Sequence, residues 1–91
     1  MVVDVTADAV SDAAKALADP VRVEILSVLR EADREVCQCE LQPRFAISQP
    51  TLSHHLKKLA AAGLITVERR GKWAFYSLDE RPLEVLRRWV S

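Results

Sequence analysis

Apolar residues recur at three- and four-residue intervals along most of this chain, and the period shortens to two in one stretch near its end. "TADAVSDAAKAL" predicts a helix over 6–17 with Val10, Ala13, Ala14 and Leu17 on one stripe. A second helix follows in "ADPVRVEILSVLR". Asp19 is its N-cap, Pro20 takes the first helical position, and Val21, Ile25, Val28 and Leu29 form the apolar face. "EADREV" is polar and predicts a loop, and a short third element runs from about 37 to 44. The clearest helix is "AISQPTLSHHLKKLAAAGL". Ser48 caps it, Pro50 lies in the first turn, Leu52, Leu56 and Leu59 are the buried stripe, and Gly63 ends it in a left-handed conformation. Then "LITVERRGKWAFYSL" alternates. Runs 64–69 and 73–78 flank "RGK" and predict a β-hairpin with a basic tip. "RPLEVLRRWV" closes the chain as a helix with Leu83, Leu86, Val90 and Trp89 on its apolar side. The order predicts one mainly α domain over 1–91, with a β-hairpin: a winged helix-turn-helix.

Composition narrows the class. The 91 residues are 49% hydrophobic and 29% charged, as in an ordinary folded chain, and only two glycines favour a helical one. "MVVDVTADAV" has neither the basic start nor the apolar run of a signal peptide, and no stretch is apolar enough to span a bilayer. A cytoplasmic protein with reduced thiols is expected.

Formal net charge is zero, yet the charges are sorted. Residues 1–40 carry four basic and nine acidic side chains. Residues 41–76 carry six basic (Arg44, Lys57, Lys58, Arg69, Arg70, Lys72) and only Glu68 as an acid. A polyanion would dock on that middle segment. On a helical wheel Pro50, His54, Lys57 and Ala61 lie opposite the leucines. The start of the helix offers its free N–H groups to phosphate. Gln49, Thr51, Ser53, His54 and Lys57 therefore stand where base edges and phosphates would be met, and Arg69, Arg70 and Lys72 extend that surface from the hairpin. Taken singly, Gln49, Thr51 and Ser53 are better explained by helix capping and solubility. Adjacent histidines point about 100° apart on a helix and do not share one ion. His54 faces outward, whereas His55 faces the core edge and predicts a hydrogen bond there.

Both cysteines fall in "EVCQCEL", with one residue between them. Packing, a disulfide or a soft ligand could each place them so. In a regular helix positions i and i+2 point about 200° apart, whereas in extended chain they share a side. Chelation at a helix start is therefore expected to distort its first turn and pass that distortion to the neighbouring helix.

"KALADPVRVEIL", "SQPTLSHHLKKLAAAGLI" and "ERRGKWAFYSL" together resemble the ArsR/SmtB family of small dimeric repressors over residues 15–78. "VCQCEL" is similar to the "C-V-C-D-L" segment of its arsenic-responsive branch, so Cys37 and Cys39 match two of that branch's thiols. A third thiol often follows three residues later, and here that position is Gln42. The histidine of the zinc-sensing branch is missing from the last helix. The resemblance implies a homodimer joined through its first and last helices, with Val10, Ala14, Leu17, Leu83, Leu86 and Val90 at the interface. It implies double-stranded operator DNA as partner, and As(III), with Sb(III) a further candidate, as effector on Cys37 and Cys39. No catalytic cofactor and no membrane are involved. Three-coordinate arsenic suits two thiolates plus a small ligand better than four-coordinate zinc does. Alternatives within the family are a thiol-redox repressor and a Cd-, Pb- or Zn-responsive one. A thiol oxidoreductase would need an active-site Gly-Pro loop and a βαβ pattern, neither of which is present. A winged helix used only for protein contacts would not need the basic tip.

Overall fold

A computed structural model describes residues 5–91. Its order is α1 (Ala7–Ala16), α2 (Pro20–Ala32), β1 (Val36–Cys37), α3 (Gln38–Leu41), a single 3-10 turn (Gln42–Arg44), α4 (Gln49–Ala61), β2 (Ile65–Arg70), β3 (Trp73–Leu78) and α5 (Arg81–Val90). The strands form one antiparallel sheet in the order β1-β3-β2. This is the winged helix-turn-helix that the apolar periodicity predicts.

The caps fall where the residue types require. The Asp19 carboxylate accepts from the Val21 and Arg22 amides at 2.8 and 3.3 Å, with Pro20 in the first turn of α2. The Ser48 hydroxyl accepts from the Thr51 amide at 3.3 Å. Gly63, at φ 74°, carries the chain out of α4. A Cβ there would come no nearer than 3.7 Å to the Pro82 ring, an ordinary contact. Gly63→Ala is therefore expected to cost only the backbone penalty, about 1–2 kcal/mol, read as a fall in urea midpoint without loss of DNA affinity at low temperature.

One core joins the helices to the sheet. Ile25, Leu29, Leu41, Leu52, Leu56, Leu59 and Leu64 are its fully buried large side chains. The leucine stripe of α4 is wholly inside, which leaves the opposite side of that helix on the surface.

Three expectations are corrected. "EADREV" is not a plain loop: α2 runs on to Ala32, Asp33 turns the chain at φ 50°, and Val36 begins a strand. Asp tolerates that left-handed conformation better than most side chains do. The short third element is not one helix, because Cys37 pairs with Phe75 across β1 and β3 before α3 begins. The hairpin tip is tighter than "RGK": Arg70 pairs with Trp73, leaving Gly71 and Lys72 as a two-residue turn. Gly71 at φ 60° supplies the positive first position that a type II′ turn needs. Within the chain α1 and α5 pack on each other, with Ala13, Ala16 and Val85 buried. Of the six residues assigned to a dimer interface, Val10, Leu17, Leu83 and Leu86 are half-buried in this way. Ala14 and Val90 are exposed, as is Trp89.

Candidate nucleic-acid interface and thiol site

The exposed side of α4 carries Gln49, Thr51, His54 and Lys57, and Ser53 is half-buried on its flank. His55 turns inward, where Arg22 Nη1 lies 3.5 Å from its Nδ1. The same guanidinium donates to the Ala16 and Lys15 carbonyls at 2.7 and 3.2 Å, so it closes the end of α1 and ties α1 to α4. The core-edge hydrogen bond expected of His55 is present.

On the wing, Arg69, Arg70 and Lys72 are all exposed, but their situations differ. Arg70 reaches Glu35 at 2.7 Å and Glu68 at 2.9 Å, and its guanidinium lies 4.5 Å above the Phe75 ring centroid. Its hydrogen bonds, to Glu68 above all and then to Glu35, raise its own pKa, and the Glu68 carboxyl is held below the usual range in return. Arg70 thus fastens β2 to the segment before β1, and its charge is neutralised locally. Among the described residues Lys57, Arg69 and Lys72 have no ion-pair partner.

Those three cations line one cleft of about 510 Å³ together with Cys37, Cys39 and Trp73. No Asp or Glu side chain borders it. Thiol pair, α4 and wing therefore share one positively charged concavity.

The thiol pair straddles a change of conformation. Cys37 is extended (φ −67°, ψ 143°) and serves as N-cap of α3, whereas Cys39 is already helical. The Cα atoms are 5.1 Å apart and the sulfurs are joined as a Cys37–Cys39 disulfide. Cys37 is buried and Cys39 exposed. Cys37 Sγ also accepts from the Cys39 amide at 3.2 Å, and the Cys37 amide donates to the Glu40 carboxylate at 3.2 Å, completing a capping box. Arg34 braces that carboxylate at 2.9 Å. The Arg34 hydrogen bond, then the Cys37 amide, hold the Glu40 carboxyl below its ordinary range. In the disulfide the two sulfurs meet with the first turn of α3 intact. The extended N-cap turns the first thiol back over the second.

Among the described residues no group of three His, Cys, Asp or Glu side chains gathers into an ion cage. A four-ligand zinc site needs more donors than the thiol pair, whereas a two-thiolate chelate needs only the pair itself.

Residues 19–67 match the family model described as "Bacterial regulatory protein, arsR family", which is more than half of the chain. The chain belongs to the ArsR family. It is accordingly a DNA-binding transcriptional regulator and not an enzyme. An arsenical resistance operon repressor of Staphylococcus xylosus is 42% identical over 72 residues, covering 79% of this chain and 67% of that protein. The repressor SmtB of Mycobacterium tuberculosis is 43% identical over 76 residues, 84% of this chain and 55% of that one. Among solved structures, an ArsR family transcriptional regulator superposes with a TM-score of 0.86 over 98% of this chain and 89% of the other, at 21% identity, which supports the fold. A possible transcriptional regulator for arsenical resistance reaches 0.77 at 30% identity, covering 87% and 80%. ArsR-family relatives named for arsenic and relatives named SmtB thus match comparably, so likeness alone does not choose the effector of this member. No helix among the described residues is long and apolar enough to cross a membrane.

Sequence reasoning missed two residues of the site. Gln38, between the cysteines, donates to Ser53 on α4 and accepts from the hydroxyl of Tyr76 on β3. Only the strand pairing at Val36 and Cys37 reveals this, and a two-residue strand leaves no alternation to detect.

Proposed function

We propose that this chain is a homodimeric cytoplasmic repressor that holds operator DNA with α4 and the wing, and lets go when a thiophilic metalloid closes across Cys37 and Cys39. Arsenite is the first candidate, with Sb(III) next. The observation that carries this reading is the common cleft: the Cys37/Cys39 pair lines the same concavity as Lys57, Arg69 and Lys72, three cations suited to a phosphate backbone. In binding arsenous acid each thiol gives up its proton, two As–O bonds are exchanged for two As–S bonds, and two waters leave. The third arsenic position keeps its hydroxide or takes a small thiol. Exposed Ala14, Trp89 and Val90 on α1 and α5 offer the apolar area for the second subunit.

The test is fluorescence anisotropy of the protein, reduced with a phosphine, on duplex from upstream of its own gene, titrated with arsenite. Wild type is expected to lose roughly 5- to 150-fold in DNA affinity, the usual span of a coupling between two sites. A Cys37→Ser/Cys39→Ser variant should bind DNA and ignore arsenite. If that variant still responds, the pair is not the sensor.

The closed disulfide favours a second reading, in which the same closure is made by oxidation. Diamide would then release the DNA, a reductant would restore it, and arsenite would have no effect.

A further inference from the structure

The residue between the two cysteines is bonded to the helix that faces DNA. Gln38 Nε2 donates to Ser53 Oγ on α4 at 3.0 Å, and Gln38 Oε1 accepts from the Tyr76 hydroxyl on β3 at 3.3 Å. Burial raises the Tyr76 pKa, so its hydroxyl stays protonated and donating. Tyr76 itself is buried and paired through its backbone with Val36 on β1 and Val67 on β2. One end of the Gln38 carboxamide is thus anchored in the sheet, and the other holds a hydroxyl of the reading helix.

We propose that Gln38 is the positioning residue that conveys the state of the Cys37/Cys39 pair to α4, by withdrawing the Ser53 hydroxyl from DNA when the pair is closed. This deepens the function proposed above and rests on it for the identity of the natural effector, but not for the closure itself.

The physical basis is short. α3 packs chiefly on β1, β3 and the following turn, so apolar packing against α4 is a poor carrier of any signal from the thiols. A ring closed across residues 37 and 39, through a disulfide or a metalloid, includes the whole backbone of residue 38 and removes most of its torsional freedom. The structure has that ring closed and the Gln38 amide seated on Ser53. With the ring open, residue 38 regains its freedom and the hydroxyl is released more often to meet a phosphate or base edge. In accepting from the Gln38 amide Ser53 keeps its own O–H to donate, but its side chain is fixed toward α3, and turning to a phosphate or base edge elsewhere means losing that bond. Closing the ring biases the choice, and the bias is what the operator reads.

The test compares wild type, Gln38→Ala, and Gln38→Met (similar length, no amide). For each, DNA affinity is measured by anisotropy in three states: reduced, oxidised with diamide, and reduced plus arsenite. Diamide takes the two thiol protons and two electrons onto its N=N bond and leaves the disulfide. Thiol counts confirm that closure is equally complete in all three proteins, and circular dichroism confirms the fold. The quantity read is the ratio of affinities, open to closed, within each protein, so any change in basal binding cancels. Removing the amide should shrink that ratio by roughly 2- to 12-fold, the worth of one net hydrogen bond. Ser53→Ala should shrink it by the same factor, and the double variant no further, which a merely structural glutamine would not produce. A ratio in both Gln38 variants equal to wild type overturns the proposal, as does a wild type whose affinity ignores closure by either route. If diamide acts and arsenite does not, the metalloid reading fails while the Gln38 link stands.

Discussion

Replacing Lys57, Arg69 and Lys72 together by glutamine is expected to flatten the slope of log DNA affinity against log salt by about 2.7 per subunit. Each phosphate contact contributes about 0.9 to the slope of log affinity against log salt. At 0.1 M salt the affinity should fall on the order of 100-fold or more. The protein has no net charge, so its long-range field offers DNA little, and binding depends on how the charges are sorted. The three replaced cations face a cleft bordered by no carboxylate, and none is spent in an ion pair among the described residues. Arg70→Gln is the instructive comparison. That guanidinium already answers to Glu35 and Glu68, so it neutralises no phosphate and displaces no DNA counterion, and its loss should barely change the slope. The triple variant and the single one are separated by repeating the anisotropy titration from about 50 to 200 mM salt. Equal slope changes for the two would mean that Arg70 abandons its carboxylates for DNA.

The architecture was open to sequence reasoning wherever one local force dominated. Asp19 and Ser48 are strong caps, Pro20 and Pro50 suit first turns, and the leucine spacing of α4 admits one buried face. Two kinds of feature were not open to it. β1 has two residues and exists because β3 supplies its partner, so no propensity marks it. The pairing of α1 with α5 is a contact over the length of the chain, and an apolar stripe does not say whether its partner lies in the same molecule or another.

The candidate site divides in the same way. Exposure of Gln49, Thr51, His54 and Lys57 follows from helix geometry once the leucines are inside. Arg70 looks identical to Arg69 in sequence, and only the position of Glu35 separates them. The thiol pair was read with helix and strand as alternatives, whereas the boundary between them passes through it. Cys37 keeps the extended side-chain direction and Cys39 the helical one, a combination that neither pure geometry contains.

Leu56→Ala should produce the largest loss of stability among single changes in the reading helix. Leu56 is 1% exposed, between Leu52 and Leu59 in the core that joins α2 and α4 to the sheet. Truncating such a leucine removes its transfer energy and leaves a cavity, at a cost of about 2–5 kcal/mol. A domain of this size has about 5–15 kcal/mol in all, so the change could consume most of it. In urea the midpoint should fall by roughly 1–3 M at an unchanged slope. DNA binding should vanish over the same urea range as the fold and persist below it, because the exposed side of α4 is untouched. Lys57→Gln is the mirror case: an exposed change expected to alter the midpoint little, within about 0.5 kcal/mol, while weakening DNA binding at every salt concentration. The two residues are adjacent in sequence, so this pair of measurements separates the face that folds the domain from the face that reads the operator. A Leu56→Ala protein with a wild-type urea midpoint would place that leucine outside the core and turn the helix around its own axis.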